Sequence, residues 1–481
     1  MLKKITLKVL IITTLLLNQN SIFGQQLKID PYEFITASND TVQAERGTFM
    51  VKENRKKSSS DSIQLSFIRF KSTNRNPSSP IVYLSGGPGG SGSETAKYER
   101  FELFMKLREV ADVIAFDQRG TGMSNKLISC PYNLDIPIAK PLNKEDYLKT
   151  TTDNLKKCKS FWDSKNVDLS AYNTTESAKD LDALRKILDV KKISLWGISY
   201  GSHLGFEFIR LFEKNIDKLV LASLESPDET LRLPIKTDAF LDQICKRAKN
   251  NYGKSPKYPN LKNKIIEVHK RLKEKPVVVE IEDDKGKKRK VGISDFELQI
   301  AITAIYLRDP SISNKIPKLY SDLHKGNFSE IAPMIKLIKQ SISEPENPMS
   351  FAMDMHSGAS DERKKEIRKQ LKTSLLGDGI NYLMLDWVDE LNYFHLPEEF
   401  RKLKENNVKA LLLSGKMDGR TYLSSAVEIA KSFKNGQHII IDNAGHNLYM
   451  LSPVIGDLVL EFFKGKELNI SEIKLKPVTF E

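Results

Sequence analysis

Short apolar runs and amphipathic stretches alternate along much of this chain from about residue 48. GTFMVKEN and SIQLSFIRF predict an opening pair of strands joined by the polar NRKKSSSD. PIVYLS (80–85) predicts a buried strand, followed by the glycine-rich GGPGGSGS and a helix through about residue 108. DVIAFD (112–117) predicts the next strand. In TTESAKDLDALRKILDV, Ala178, Leu181, Leu184 and Leu188 share one helical face. Acids come early in that helix and Arg185 and Lys186 late, as the helix dipole favours. KKISLWG and DKLVLASLE (217–225) predict two further strands. Such alternation implies an α/β protein whose mostly parallel sheet has helices on both faces.

The rhythm breaks between about 226 and 404. Charged helical stretches such as NKIIEVHKRLKE and KKEIRKQLKTSL dominate there, with one hairpin around PVVVEIEDD and VGIS. Alternation resumes with VKALLLSG (408–415), YLSSAVEIAKSF, QHIIID (437–442) and PVIGDLVLEFFKG. A sheet interrupted and later completed predicts an inserted cap. The expected segments are a leader (1–24), a first core part (25–225), a mainly helical cap (226–404) and a second core part (405–481). The basic tail after about 466 is expected to be loosely held.

A chain of 481 residues suits one large domain with an insertion, or two domains. MLKKITLK, VLIITTLLL and NQNSIFG follow the basic, apolar, polar order of a secretory signal peptide, with cleavage expected after Gly24. The nine-residue apolar run is too short to span a bilayer, which needs about 20 residues. No later run is long enough, so no integral membrane segment is expected in the mature chain. Export to the periplasm or the medium is expected. Loss of Lys3, Lys4 and Lys8 removes three charges from a formal +13. The remaining excess is diffuse apart from KGKKRK (285–290), which reads as the turn and return strand of the hairpin. No aromatic residues interleave that run, so nucleic acid is not an expected partner. Of three cysteines, Cys130 and Cys158 are the expected disulfide, leaving Cys245 over. No CxxC or clustered Cys/His spacing suggests a metal site.

Between the strand KKISL and the amphipathic HLGFEFIRLF lies Gly197-Ile198-Ser199-Tyr200-Gly201. G-x-S-x-G is short enough to arise by chance. At a strand-to-helix junction, however, it can hold a serine on a strained turn with its hydroxyl exposed. Such a serine needs a base, and the base an orienting acid, in the order serine, acid, histidine. LLLSGKMDGRT puts Asp418 after one apolar strand, and HIIIDNAGHN puts His446 after the next. The other histidines fall elsewhere: His203 in the following helix, His269, His324, His356 and His395 in the cap, His438 opening a strand. Asp442, a rival acid, ends the strand that precedes His446 itself. Backbone N–H groups for a developing oxyanion would come from Tyr200 and from Gly87 in the glycine-rich loop.

LSGGPGGSG, FDQRGTGMS, LWGISYGS, LLLSGKMDGRT and DNAGHN together resemble the prolyl aminopeptidase-like or tripeptidyl-peptidase-like branch of the α/β-hydrolases. The resemblance implies the α/β-hydrolase fold, with an eight-stranded sheet and a helical cap, and release of residues from a free peptide N-terminus. It implies Ser199 as nucleophile, Asp418 as acid, His446 as base and Gly87 with Tyr200 as oxyanion donors, with no cofactor. Asp117 and Arg119 match a block that braces the end of the sheet. Two departures stand out: Ser85 where many members have histidine, and fewer cap cysteines than is usual. An exopeptidase of this kind must also hold a cationic α-amine, and SLESPDETLRLP offers Glu225, Asp228 and Glu229. Glu225 is the candidate. Peptides are the expected substrates; a carboxylesterase with the same triad and an inactive binding homologue are the alternatives. Sequence leaves oligomeric state open.

Overall fold

The protein is described by a computed structural model covering residues 27–250, 257–282, 286–343, 348–391, 395–477 and 479. The expected leader and Lys285 lie outside the described residues. A ten-stranded sheet organises the chain, in the order β1-β2-β3-β5-β4-β6-β7-β10-β11-β12. The strands are β1 (Lys28–Ile35), β2 (Thr41–Lys52), β3 (Ser62–Phe70), β4 (Ile81–Leu84), β5 (Val113–Asp117), β6 (Ile193–Ser199) and β7 (Ile216–Leu224). The sheet is completed by β10 (Ala410–Gly415), β11 (Gly436–Asp442) and β12 (Glu472–Lys474). From β5 to β12 all neighbours pair parallel, while β1, β2, β3 and β5 pair antiparallel.

The eight-stranded expectation is therefore corrected by two edge strands. KIDPYEFI of β1 is mostly exposed and contains Pro31, which an edge strand tolerates because its missing N–H need not join a ladder. At the other edge, three residues of the expected loose tail pair with Ile440–Asp442 as β12.

Side-chain alternation along the buried strands builds two cores, one on each face. Val82, Leu84, Leu195 and Leu221 pack with helices Thr174–Ile187 and Tyr200–Phe212. Ile81, Tyr83, Trp196 and Val220 pack with helices Phe101–Leu107 and Pro453–Phe463 on the other. This period-two pattern is the one the apolar runs carry, and it places the carboxyl ends of the parallel strands at one edge of the sheet.

β7 and β10 are neighbours, so residues 225–409 leave the sheet and return to it. Within that insertion, β8 (Val277–Glu282) and β9 (Lys288–Ile293) form the expected hairpin. Lys288, Arg289 and Lys290 are exposed there, and Lys288 pairs with Glu280 at 2.9 Å. A second excursion, residues 126–172, was not separated from the core by sequence patterning. Its helix Lys144–Ser164 is tied to the preceding loop by a Cys130–Cys158 disulfide, with Cα atoms 5.4 Å apart. Tyr147, Leu155 and Trp162 of this strap pack with Phe296, Phe351 and Trp387 of the insertion. Buried Lys339 and Glu297, 2.8 Å apart, also receive the strap: Lys339 donates to the Lys140 carbonyl, and Tyr147 donates to Glu297.

Candidate active site

β6 ends at Ser199, whose φ of 57° and ψ of −128° lie where side chains are rarely found. The flanking glycines are required by close approach. A Cβ on Gly201 would fall 2.2 Å from the Leu84 carbonyl oxygen, and one on Gly197 2.9 Å from the Gly201 carbonyl. Helix Tyr200–Phe212 can therefore begin directly against β4, and the turn holds Ser199 partly exposed at the sheet's edge. The Tyr200 N–H opens this helix and has no intrahelical acceptor. Its side chain turns into the core, where the hydroxyl meets Thr174 Oγ1 at 3.0 Å.

The loop after β10 carries Asp418, and the loop after β11 carries His446. His446 Nδ1 and Asp418 Oδ2 are 2.9 Å apart. Asp418 is buried and also accepts the Arg420 and Thr421 N–H groups on Oδ1 and the Thr421 hydroxyl on Oδ2. Burial pushes its carboxyl up, but His446 and the Thr421 hydrogen bonds outweigh it and hold the group below the ordinary aspartate value. The insertion braces both loops from its own side. Arg308 O accepts the His446 N–H at 3.0 Å, and Leu307 O accepts that of Gly419 at 3.0 Å. Asp442 instead pairs with Arg247 at 3.1 Å.

The glycine-rich loop lies against the serine turn, since a Cβ on Gly86 would fall 2.9 Å from the Ile198 carbonyl and 3.3 Å from Ser199 Cβ. Gly87 has φ of 128° and precedes Pro88 through a cis peptide. Asp117 pins the far end of this loop: it accepts the Ser91 and Ser93 hydroxyls and the Ser93 and Met123 N–H groups. Ser85, which precedes the glycine-rich loop, has its hydroxyl 3.3 Å from Thr95 Oγ1. Arg119 is fully buried on Asp180 and the Glu53 and Ala171 carbonyls. Both DQRG residues thus brace the edge of the sheet.

Ser199, His446, Gly87 and Glu225 line one cavity of about 90 Å³. Among the three acids after β7, Asp228 accepts from Ser360 at the start of helix Asp361–Leu371. Glu229 pairs with Lys236 and Arg363 at 3.3 and 3.6 Å. Glu225 is less committed: the nearest cationic candidate is His203, 3.9 Å away. Burial lowers His203 to about 4, which keeps it neutral near pH 7. Burial raises Glu225 to about 7 against the pull of Arg232, with Glu229 adding to the rise.

Sequence reasoning missed the cations here. Arg232 and Arg420 line the cavity and occur in segments that carry other candidates, SPDETLRLP and KMDGRT, but a charged residue on a loop gives no signal that it faces a cavity. Among the described residues, no group of three His, Cys, Asp or Glu could hold a metal ion, and no helix is long and apolar enough to cross a membrane. Cys245 is a half-buried free thiol, pushed up to about 11 by burial.

A strand-end serine beside a histidine–aspartate pair, on a mostly parallel sheet with an insertion over its edge, is the arrangement of an α/β-hydrolase. Residues 79–254 match the family described as alpha/beta hydrolase fold, and residues 394–472 match the TAP-like protein family. The fold is that of the α/β-hydrolases, and the matched families and relatives support a serine-exopeptidase-like family within it. It is similar to serine protease Hip1 of Mycobacterium tuberculosis, with 28% identity over 199 residues, 40% of this chain and 38% of that protein. It is also similar to tripeptidyl aminopeptidase of Streptomyces lividans, with 30% identity over 170 residues, 34% of this chain and 31% of that protein. Each match thus covers well under half of the relative's length.

Proposed function

We propose that this protein is an exported serine peptidase that removes residues or short peptides from the free N-terminus of peptides. The observation that carries the reading is one cavity lined by Ser199, His446, Gly87 and the weakly engaged carboxylate Glu225. Its charged lining favours peptides over the apolar acyl groups of simple esters. The names of the two relatives, serine protease and tripeptidyl aminopeptidase, point the same way.

In this mechanism His446 takes the proton of Ser199 as the hydroxyl attacks the carbonyl, and Asp418 orients the imidazole and stabilises its charged form. The Gly87 and Tyr200 N–H groups bind the developing oxyanion. His446 then protonates the leaving amine, and water cleaves the acyl-enzyme by the same steps in reverse. Glu225 receives the substrate's α-amine, which fixes how far the chain end lies from Ser199. Export rests on the leader pattern of residues 1–24, and the Cys130–Cys158 bridge is consistent with an oxidising compartment.

The test uses the mature chain and chromogenic amides of alanine, proline and an alanine tripeptide, each free and N-acetylated, with Ser199→Ala as blank. Cleavage of the free forms alone is expected, and the preferred length separates single-residue from tripeptide release. Equal cleavage of the acetylated forms would remove the amine-recognition role of Glu225. Hydrolysis of short esters with no amide cleavage would make the protein an esterase.

A further inference from the structure

The cavity beside Ser199 holds two cations that the protein does not neutralise. Lys236 and Arg363 are engaged by Glu229. For Arg232 and Arg420, no carboxylate among the described residues lies within the 4.0 Å of an ion pair. Arg232 Nε donates to the Arg420 carbonyl at 3.3 Å and Nη1 to the Ile380 carbonyl at 3.2 Å. These two bonds orient its guanidinium and leave Nη2 uncommitted. The Arg420 guanidinium has no protein acceptor among the described residues.

The two charges repel. The positive charge of Arg232, together with burial and Arg308, lowers Arg420 to about 10. Asp418 also attracts Arg420 but is engaged by His446 and Thr421. Of the carboxylates lining the cavity, Glu229 is committed and Asp354 has partners of its own, which leaves Glu225 facing both arginines. One carboxylate against two guanidiniums leaves an excess positive charge in a partly desolvated space. An incoming carboxylate would relieve it, and guanidinium forks match that group in shape as well as charge.

We propose that Arg232 and Arg420 form a carboxylate subsite adjoining Ser199, so that preferred substrates carry a carboxylate close to the bond that is cut. The proposal rests on the serine-peptidase reading of the same cavity and names its substrate class. Two sources supply such a group: an acidic side chain on the residue whose carbonyl is attacked, or the C-terminal carboxylate of a very short peptide. With Glu225 at the amine, the cavity would read both charges of a zwitterionic substrate.

Equilibrium binding to the Ser199→Ala protein tests this without requiring turnover. Calorimetry compares L-glutamic acid α-(4-nitroanilide) with the glutamine 4-nitroanilide, and alanyl-alanine with its C-terminal amide. At least one carboxylate form is expected to bind about tenfold or more tightly than its amide partner, and the pair showing the difference identifies the source. Arg420→Gln or Arg232→Gln, each introduced separately, is expected to bring the carboxylate's affinity down to that of the amide, and Arg420→Lys to retain part of the difference. Equal affinities within both pairs, no measurable binding of either carboxylate, or an equal loss for both members of a pair would overturn the subsite. Turnover of alanine anilides by the wild type is a separate readout, so a failure of the peptidase reading can be told from a failure of the subsite.

Discussion

Arg119 is the more deeply buried of two arginines, Arg119 and Arg420, and yet its charge is the better satisfied. Around Arg119, Asp180 accepts from Nε and Nη2, two carbonyls accept from Nη1, and Arg55 supplies a second cation to Asp180 and Glu176. Around Arg420, the largest electrostatic influence is the repulsion of Arg232, which Asp418 and Glu225 oppose from beyond ion-pair distance. Complete pairing locks a helix and a loop to the sheet and leaves nothing for a ligand. Incomplete pairing beside a strained serine leaves donors open to solvent or to a ligand. The difference separates charges that hold the fold from charges that serve the site.

The sharpest break of that comparison is chemical. Ser199→Ala is expected to lower kcat by about a million-fold, and Asp418→Asn by about ten-thousand-fold, with little change in urea midpoint. Loss of stability in place of rate would put Ser199 among the braces. Next comes Asp180→Asn, which removes the close carboxylate from buried Arg119 and leaves Glu176 at 3.8 Å as its remaining counter-charge. It is expected to cost about 3–5 kcal/mol in urea unfolding, while the remaining folded fraction keeps its specific activity. A selective loss of kcat/KM there would move the brace into the site.

Smaller in magnitude is Glu225→Gln, expected to cut kcat/KM by about a hundredfold on free-amine substrates and to spare acetylated ones. Its pH signature follows from the raised carboxyl. Below about 7 the group is protonated and neutral, so the ratio of free-amine to acetylated kcat/KM should fall as pH drops through 7. Taking the ratio removes any limb that the two substrates share, including that of His446, and Glu225→Gln should flatten it. The smallest effect is expected at Lys288→Ala, where loss of an exposed hairpin pair should leave the urea midpoint and the rate unchanged within error.

Much of the architecture was legible because the buried strands are continuous apolar runs. Ser199, Asp418 and His446 each follow such a run, so their positions at the sheet's edge could be read from order alone. β1 was not legible: its inward positions Asp30, Tyr32 and Phe34 alternate over a short span that begins with a charged residue, and Pro31 reads as a strand breaker. Nor was the strap of residues 126–172, whose apolar residues pack against the insertion from far along the chain. Thr421, which donates to Asp418, and Arg308, whose carbonyl holds the His446 backbone, act through tertiary approach and leave no local pattern. Arg232 and Arg420 were hidden for the related reason that pairing is invisible in sequence. Whether a loop arginine has found its carboxylate can be read only from the fold.

The strained serine after β6 is the group proposed to react. The most direct measurement treats the mature protein with a fluorophosphonate and locates the adduct by peptide mass spectrometry. A single adduct on Ser199 is expected, abolished in His446→Ala and accompanied by loss of amide hydrolysis in proportion to labelling. An adduct on a different residue, or full amidase activity after Ser199 is completely modified, would contradict that role.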